Sequence, residues 1–332
     1  MILLLGATGY IGQAFSDELR GRGNAFVPLT RSSVDYTRFD VLFDYVRSTR
    51  PDFVINAAGY PGTQDLDACE IHRAETVRAN TLLPQTVARV CYLMKTPWGH
   101  ISSGSIFSGA KLARNGGFQI ERDLGQPGLR SLFDAQPDAF HGFAEFDEPN
   151  FSFRSPPCNF YSGTKALAEE ALRWTNQCYL WRPNLVFDAC DHPRNFLSKI
   201  QRSAHIHDSV NSLTHRGDFV RACLDLWERC APFGIYNIVN PGAVSGRQIV
   251  EVIRHVFKPV RPFDFWKSDE EFQLSGAKAI RSNCILDSAK LLSTGIKIRS
   301  ISEAIKDSLD MWKPSAPNQT WMQAIQPAFT VK

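Results

Sequence analysis

A tyrosine and a lysine four residues apart are the first side chains whose spacing suggests chemistry. Tyr161 and Lys165 fall in a stretch with helical periodicity, so the phenol and the ammonium share one helix face. A neighbouring cation favours the phenolate, and we therefore expect the pKa of Tyr161 to be lowered toward neutrality. A tyrosine with such a pKa can transfer a proton in catalysis. This pair is common by chance and needs a second motif to support it.

Three glycines near the first residue supply that motif. They directly follow a short apolar segment and open an amphipathic stretch, which is the context of a dinucleotide-binding loop. Without side chains, the backbone can approach a pyrophosphate, whose charge is held by free N–H groups at a helix N-terminus. A tight turn without a ligand is the competing interpretation. The residues predicted to contact the cofactor here are Gly6, Thr8, Gly9, Tyr10, Ile11 and Gly12.

The second apolar segment, at 25–29, is followed by an arginine and several hydroxyl-bearing residues. Proteins specific for NAD usually place an acidic residue at this position to bind the ribose 2′-hydroxyl. Arg31 and Ser32 instead suit a 2′-phosphate, so the sequence favours NADP(H) over NAD(H). An exposed arginine with no ligand is the alternative.

These motifs need a scaffold that brings distant loops together. Short apolar runs at 1–5, 25–29, 53–56, 100–102 and 178–181 read as buried strands. Amphipathic stretches at 11–21, 39–48, 72–94 and 160–177 read as the helices between them. This alternation predicts an α/β protein with a Rossmann-type, doubly wound parallel sheet, whose ligands bind at the carboxyl ends of the strands.

The chain divides into three predicted parts. Residues 1–184 form the NAD(P)-binding domain, and residues 109–159 within it form a long loop that is either a lid, a specificity element or a solvated insertion. Residues 185–312 form mainly a smaller substrate-binding lobe, with helices near 246–257 and 301–312 and some segments returning to the first domain. Residues 313–332 contain three prolines and read as a C-terminal tail.

Composition excludes several classes of protein. The 332 residues are 43% hydrophobic and 21% charged, with a net charge of only +3, so neither nucleic acid nor a membrane is an expected partner. The apolar start ends after five residues, and a cytoplasmic location is expected. The eight cysteines form no C-x-x-C motif, so we predict neither a disulfide framework nor a metal site.

The G-x-x-G-x-x-G spacing, taken with Tyr161 and Lys165, resembles the extended short-chain dehydrogenase/reductase superfamily. The resemblance implies that Ser103 holds the substrate carbonyl oxygen, while Tyr161 and Lys165 also contact the cofactor. A homodimer is usual in this superfamily and is an expectation here. By the same resemblance the remaining cofactor contacts are Asp35, Asn56, Ala57, Ala58, Gly59, Asn80 and Pro183.

Four stretches, at 69–80, 192–199, 234–242 and 281–287, are similar to the epimerase/reductases of UDP-L-rhamnose synthesis and more loosely to dTDP-4-dehydrorhamnose reductases. This similarity implies a nucleotide-activated 4-keto-6-deoxy sugar as substrate, UDP- or dTDP-linked, and reduction at C4. The implied substrate contacts are Ser105, Asn195, Lys199 and Arg281. Cations that could bind the diphosphate are Arg281, His192, Arg194, His215 and Arg216.

One departure from that family bears on the reaction. Epimerisation at C3 and C5 needs an acid and a base, which the resemblance assigns to Ser105 and Lys199, but the family has a cysteine where this chain has Ser105. A hydroxyl is a far weaker acid than a thiol, whose pKa is about 8.5. We therefore predict an NADPH-dependent 4-keto reductase with weak or absent epimerase activity.

Three alternatives remain open. A bifunctional 3,5-epimerase/4-reductase would need another acid, for which Cys158 is the nearest candidate in sequence to Tyr161. A sugar-nucleotide 4-epimerase needs only the serine, tyrosine and lysine with a tightly held NAD, which Arg31 disfavours. A non-catalytic NADP-binding sensor or scaffold would have no need of Ser103, Tyr161 and Lys165 together.

Overall fold

A computed structural model of the chain describes residues 1–63, 65–114, 116–257 and 262–314. The strands are β1 Ile2–Leu5, β2 Phe26–Leu29, β3 Phe53–Asn56, β4 Trp98–Ile101, β5 Ala110–Arg114, β6 Gly117–Glu121, β7 Phe140–His141, β8 Cys178–Arg182, β9 Val186–Phe187, β10 His205–Ile206, β11 Val210–Asn211, β12 Thr214–His215, β13 Gly234–Asn237, β14 Val244–Ser245 and β15 Asp264–Phe265. The helices are α1 Tyr10–Gly21, α2 Phe39–Thr49, α3 Ala68–Ile71, α4 Arg73–Val77, α5 Leu83–Met94, α6 Pro127–Ala135, α7 Phe160–Ala171, α8 Phe196–Arg202, α9 Arg216–Glu228, α10 Gly246–Phe257, α11 Asp269–Glu271, α12 Ala289–Ser293 and α13 Ile301–Asp310.

The main sheet has six parallel strands in the order β13-β8-β4-β3-β1-β2. Every residue of β1, β3, β4 and β8 is buried, as expected for parallel strands covered on both faces. This arrangement confirms the predicted Rossmann-type α/β fold. The strand order reverses beside β1, so the loops after β1 and β3 flank the crevice where such sheets bind ligands.

Each face of the sheet has its own hydrophobic core. On one face α1 and α9 pack over the aromatic side chains of the central strands, with Phe15, Trp181 and Phe219 at its centre. On the other face α2 and α5 bury Val46 and Val87 against the sheet. The loops at the carboxyl edge are therefore carried by a rigid support.

Residues after 184 build a second core and also complete the sheet. Helices α8, α10 and α13 bury Leu197, Ile249 and Ile305 together. Strand β13, from the same part of the chain, pairs with β8 in register from Gly234 opposite Tyr179. The main sheet is thus not confined to residues 1–184.

The segment 109–159, in which the sequence shows no periodicity, contains regular structure. Strands β6, β5 and β7 form a small antiparallel sheet, and α6 follows β6. Leu112, Phe133 and Phe140 lie in a core of their own. Strand β7 has only two residues and β6 is almost fully exposed, so neither shows the alternation of buried and exposed residues that is typical of a half-buried strand.

Several predicted boundaries were wrong. The helix predicted at 72–94 is divided into α4, a π-helical turn at Arg78–Leu82 and α5, with Pro84 in the first turn of α5. The helix predicted at 160–177 ends at Ala171, before Trp174, Thr175 and Asn176, which are weak helix formers. The strand predicted at 100–102 begins two residues earlier, at Trp98.

The chain's last described residues return to the second lobe. The Lys313 amide donates to the Ala189 carbonyl at 2.8 Å, and its carbonyl accepts from the Asp191 amide at 2.9 Å. Most of the tail predicted at 313–332 lies outside the described residues. In the part that is described, every helix is too short or too polar to cross a membrane.

Candidate active site

The glycine-rich loop has the close backbone approach that its sequence predicts. Gly6 adopts a φ of +75°, and a Cβ at this position would lie 2.6 Å from the Ala58 nitrogen. A Cβ at Gly12 would lie only 2.1 Å from the Gly6 carbonyl oxygen. The loop therefore folds tightly between β1 and α1 and leaves the first N–H groups of α1 at the crevice.

A cavity of about 610 Å³ opens at this loop. It is large enough for much of a dinucleotide, and the absence of side chains at the glycines leaves the backbone accessible to a phosphate. The residues predicted for the cofactor that line this cavity are Gly6, Thr8, Gly9, Arg31, Ala57, Ala58 and Gly59. Sequence analysis did not identify Tyr36, Thr37 and Arg78, which also line it.

Other predicted cofactor residues shape the loops around the cavity. The Asn56 side-chain oxygen accepts from the Ala58 amide at 3.1 Å. Asp35 accepts from the Thr37 hydroxyl at 2.5 Å, and Ser32 contacts the Thr30 hydroxyl at 2.9 Å. Their roles toward a cofactor stay predictions.

Asn80 lies in the π-helical turn and binds the backbone beside Gly59. Its side-chain oxygen accepts from the Tyr60 amide at 2.8 Å, and its Nδ2 donates to the Tyr60 carbonyl at 3.0 Å. Nδ2 also lies 3.4 Å from the Thr164 hydroxyl of α7. Asn80 thus fixes the loop after β3 relative to the helix that carries Tyr161.

Helix α7 presents Tyr161 and Lys165 toward the end of β4. Asn159 caps the helix, and its side-chain oxygen accepts from the Ser162 amide at 2.7 Å. The Lys165 ammonium donates to the Ile101 carbonyl at 2.9 Å and lies 6.0 Å from the centre of the Tyr161 ring. Ser103 follows β4 two residues after Ile101. The structure therefore brings Ser103, Tyr161 and Lys165 together.

The expected lowering of the Tyr161 pKa is wrong for this arrangement. Burial raises the pKa of Tyr161 to about 12, and a hydrogen bond with Ser103 opposes only part of this rise. Burial lowers the pKa of Lys165 to about 8, against the favourable charge of Glu169. The sequence shows that a cation is near the phenol but not that desolvation has the larger effect on the pKa of Tyr161.

Ser105 lies within a chain of three hydroxyl groups. Its Oγ is 2.8 Å from the Ser103 Oγ, and it accepts a hydrogen bond from the Ser162 Oγ at 3.2 Å. Its amide also donates to the Ser103 Oγ at 3.2 Å. Ser105 therefore links the end of β4 to α7.

The two residues predicted for the substrate near α8 differ in what surrounds them. Lys199 is exposed on α8, although partial desolvation and the charges of Arg194 and Arg281 lower its pKa. Asn195 is fully buried, caps α8 and donates to the carbonyls of Asp188 and Cys190. Its amide is engaged within the protein, and its role toward a substrate stays a prediction.

Each cation considered for the diphosphate already has a protein partner. Arg281 forms an ion pair with Asp67 at 2.7 Å, and Arg194 donates to the carbonyls of Pro61, Gly62 and Thr63. These contacts tie the loop after Gly59 to the second lobe.

The remaining candidate cations surround Tyr10 or cap α9. The His192 ring stacks on Tyr10 with centres 4.6 Å apart, and the Arg216 guanidinium lies 4.4 Å from the centre of the same ring. Arg216 also forms an ion pair with Asp188 at 2.6 Å, while His215 accepts from the Asp218 amide at 3.2 Å. Tyr10 therefore joins the glycine-rich loop to the second lobe.

The cysteines near the site are poor acids. Burial and the charge of Glu70 raise the pKa of Cys158. Burial raises the pKa of Cys69 to about 11, and a Cys69 thiolate would raise the pKa of both Tyr161 and Lys165. Cys69 was not singled out from the sequence because it lies some 90 positions before Tyr161.

Comparisons with known proteins agree with this geometry. Residues 1–313 match the family described as RmlD substrate binding domain. A bifunctional dTDP-4-dehydrorhamnose 3,5-epimerase/dTDP-4-dehydrorhamnose reductase from Arabidopsis thaliana is 31% identical over 304 residues, covering 91% of this chain and 90% of that protein. Longer trifunctional proteins of the same plant also match, and the chain spans 41% of the length of one of them.

Solved structures share the fold. The L780 UDP-rhamnose synthase from Acanthamoeba polyphaga mimivirus superposes with a TM-score of 0.77 at 25% identity, covering 93% of this chain and 98% of that one. A dTDP-4-dehydrorhamnose reductase from Bacillus anthracis, solved in complex with NADP, superposes with a TM-score of 0.71 at 20% identity, covering 94% and 97%.

The named relatives are reductases, and this chain is an NAD(P)-dependent oxidoreductase with a Rossmann-type fold. The match to the family covers almost the whole described chain, including both the sheet and the second lobe. The chain therefore belongs to the RmlD substrate binding domain family.

Proposed function

We propose that the chain is an NADPH-dependent reductase of a nucleotide-activated 4-keto-6-deoxy sugar. The observation that carries the proposal is the group formed by buried Ser103, buried Lys165 and half-buried Tyr161 at the carboxyl edge of the sheet, close to the glycine-lined cavity. A carbonyl oxygen placed between the Ser103 and Tyr161 hydroxyls would accept hydrogen bonds from both.

The protonation state of Tyr161 suits reduction of a ketone. With a pKa near 12, the phenol keeps its proton at neutral pH and can give it to the oxygen on C4. Ser103 donates a hydrogen bond to the same oxygen and so stabilises the charge that develops there. Lys165 holds its positive charge beside the phenol and stabilises the phenolate left after the transfer.

The cavity residues support NADP(H) as the cofactor. Arg31 and Arg78 both line it, so two cations are available for a 2′-phosphate, while the absence of side chains at Gly6 and Gly9 leaves room for the pyrophosphate beside the backbone. When bound, the reduced nicotinamide supplies the hydride for C4.

The substrate class follows from the relatives and from Ser105. Relatives named for this chemistry use dTDP-linked or UDP-linked sugars, so both nucleotides are candidates for this chain. The Ser105 hydroxyl is hydrogen-bonded to the Ser103 and Ser162 hydroxyls. The thiols of Cys158 and Cys69 are weak acids because their pKa values are raised. We therefore propose reduction at C4 without efficient exchange of protons at C3 and C5.

The test follows NADPH oxidation with four substrates, the UDP- and dTDP-linked 4-keto-6-deoxyglucose and their 3,5-epimerised forms. The reactions run in heavy water, and NMR of each product reads deuterium at C3 and C5. We expect turnover without deuterium on these carbons. Rapid deuterium incorporation would instead support a bifunctional 3,5-epimerase/4-reductase, with Cys69→Ser and Cys158→Ser variants locating its acid.

Tyr161→Phe distinguishes an enzyme from a cofactor-binding sensor or scaffold. The variant removes the proton donor, so we expect turnover to fall by about 10²-fold or more while the Kd for NADPH changes little. Unchanged turnover in this variant would overturn the assignment of Tyr161. A 4-epimerase would retain NAD through purification and interconvert nucleotide sugars with no net oxidation of added NADPH.

A further inference from the structure

A buried ion pair lies directly behind the catalytic group. Arg182 Nε donates to Glu169 Oε1 at 2.9 Å, and Arg182 Nη2 donates to Glu169 Oε2 at 2.6 Å. The side chains are only 2% and 6% exposed, and the guanidinium also lies 5.2 Å from the centre of the Phe107 ring. Two charges removed from water in this way cost desolvation energy, so the pair is a poor source of stability by itself.

The pair touches every segment that carries a proposed catalytic residue. Glu169 lies one helical turn after Lys165 on α7, and its carboxylate accepts a hydrogen bond from the Ser102 hydroxyl. Ser102 stands between Ile101, whose carbonyl holds the Lys165 ammonium at 2.9 Å, and Ser103.

Arg182 extends the same connection to the next strand. It ends β8, and the following residue, Pro183, accepts a hydrogen bond from the Gly104 amide at 2.8 Å. Removing Glu169 would therefore remove one of the hydrogen bonds that join the end of β4 to α7 and leave Arg182 without the carboxylate it is paired with.

We propose that Glu169 is a positioning residue of this reductase, which holds Ser103 opposite Tyr161 and keeps the Lys165 ammonium charged. Arg182 holds the Glu169 carboxylate in place for both tasks. The inference rests on the proposed function only for its catalytic readout, because the effect on Lys165 can be measured without substrate.

Among the titratable groups around Lys165, only Glu169 carries a negative charge that favours the ammonium against burial, within the part of the chain that the structure describes. Cys69 faces Lys165 from α3, but its thiol is neutral at physiological pH because its pKa is raised to about 11. His100 on β4 is fully buried and has a lowered pKa, so it is neutral, and Tyr161 keeps its proton.

The test compares Glu169→Gln with Glu170→Gln. Glu170 is the next residue on α7 and pairs with the exposed Arg154, so its replacement removes the same charge from the surface. The pKa of Lys165 is measured from its ¹³Cε shift in lysine-labelled protein, with Lys165→Arg for assignment. We expect the pKa to fall by about one unit or more in Glu169→Gln and to stay unchanged in Glu170→Gln.

The catalytic readout is the pH profile of kcat/KM. In Glu169→Gln the alkaline limb should move to lower pH together with the Lys165 pKa. Glu169→Asp keeps the negative charge, so its pH profile should lie close to that of the wild-type protein. An unmoved Lys165 pKa in Glu169→Gln would overturn the proposal. If the wild-type protein reduces none of the sugars, the proposed function fails while the NMR comparison still decides this inference.

A double variant separates positioning from folding. Glu169→Leu with Arg182→Met removes both charges of the pair and is expected to fold even where Glu169→Gln does not, because Arg182 is not left buried beside a neutral partner. We expect this variant to keep the wild-type Tm within a few degrees, to lower the Lys165 pKa and to reduce kcat about tenfold or more. A stable double variant with wild-type kcat and Lys165 pKa would show that the pair is only structural.

Discussion

Ser105 occupies the centre of the hydroxyl chain that joins Ser103 to α7. A serine can donate and accept at once, so it orders its neighbours without supplying an acidic proton. A thiol at this point would have a weaker hydrogen bond to Ser103 but a proton that leaves near pH 8.5. We therefore propose that oxygen in place of sulfur at this position favours reduction alone over proton exchange on carbon.

Replacing Ser105 by cysteine should add epimerase activity. We expect Ser105→Cys to raise deuterium incorporation at C3 or C5 by tenfold or more, because the variant places a titratable thiol beside Ser103. NMR of the sugar product in heavy water measures it. Ser105→Ala is the control and should lose roughly two- to tenfold in kcat, the worth of one hydrogen bond, without gaining deuterium. Rapid incorporation by the wild-type protein would contradict this prediction.

The reductase should lose activity above about pH 8. Lys165 is charged below its pKa and neutral above it, so the stabilising ammonium is lost as the pH rises through about 8. We expect kcat/KM to fall about tenfold per pH unit beyond that point, with no comparable loss between pH 6 and 7.5. Lys165→Arg keeps the positive charge at all these pH values, so the remaining kcat/KM of this variant should not fall above pH 8. A flat wild-type profile up to pH 10 would refute the assignment.

The residues proposed to act on the substrate could be predicted, and the ion pair behind them could not. Tyr161, Lys165 and Ser103 carry recognisable chemistry at fixed spacings. The sequence does not show that Glu169 and Arg182 are buried and paired with each other, which only the fold reveals. The prediction that the Tyr161 pKa is lowered was wrong for the same reason, because a spacing of four residues does not show how far the phenol is removed from water.

At the scale of elements, sequence patterns located most strands and helices of the sheet. Periodicity predicts where apolar faces lie, and it placed α1, α2 and α10 within a residue or two. It cannot detect the π-helical turn at Arg78–Leu82, where one extra residue per turn lets Asn80 reach Tyr60. Such turns are held by tertiary contacts rather than by propensity.

The glycine-rich turn should tolerate no added methyl group at Gly12. We expect Gly12→Ala to weaken NADPH binding roughly tenfold or more, because its Cβ would meet the Gly6 carbonyl oxygen at 2.1 Å and strain the loop by about 1–3 kcal/mol. Fluorescence titration with NADPH measures the Kd. Gly21→Ala, at the open end of α1, is the control and should leave the Kd unchanged. Equal Kd values for all three proteins would rule out this role of the loop.

At the scale of the molecule, two contacts hold the second lobe against the loop after Gly59. Arg194 reaches this loop from the segment before α8, and Asp67 accepts from the Lys278 and Ala279 amides at 3.2 and 3.0 Å. The loop after Gly59 is thus tied to the second lobe through backbone amides as well as through side chains.

Removing Asp67 should loosen this connection. We expect hydrogen–deuterium exchange at residues 278–281 to become roughly tenfold faster in Asp67→Ala, because two amides lose their acceptor and Arg281 loses its ion pair. Mass spectrometry of the peptides measures it. Asp40→Ala, which removes an exposed pair with Arg38, is the control and should leave these peptides unchanged. Wild-type exchange rates in Asp67→Ala would show that other contacts hold the loop.

The pairing of β13 with β8 also sets an order for folding during synthesis. Ribosomes release the chain from its N-terminus, so β8 keeps a bare edge until Asn237 has emerged some fifty residues later. All five residues of β8 are buried in the finished sheet, and an apolar edge of this kind recruits other strands. A fragment ending at residue 184 would keep that edge permanently and self-associate, whereas one extended through β13 would cover it.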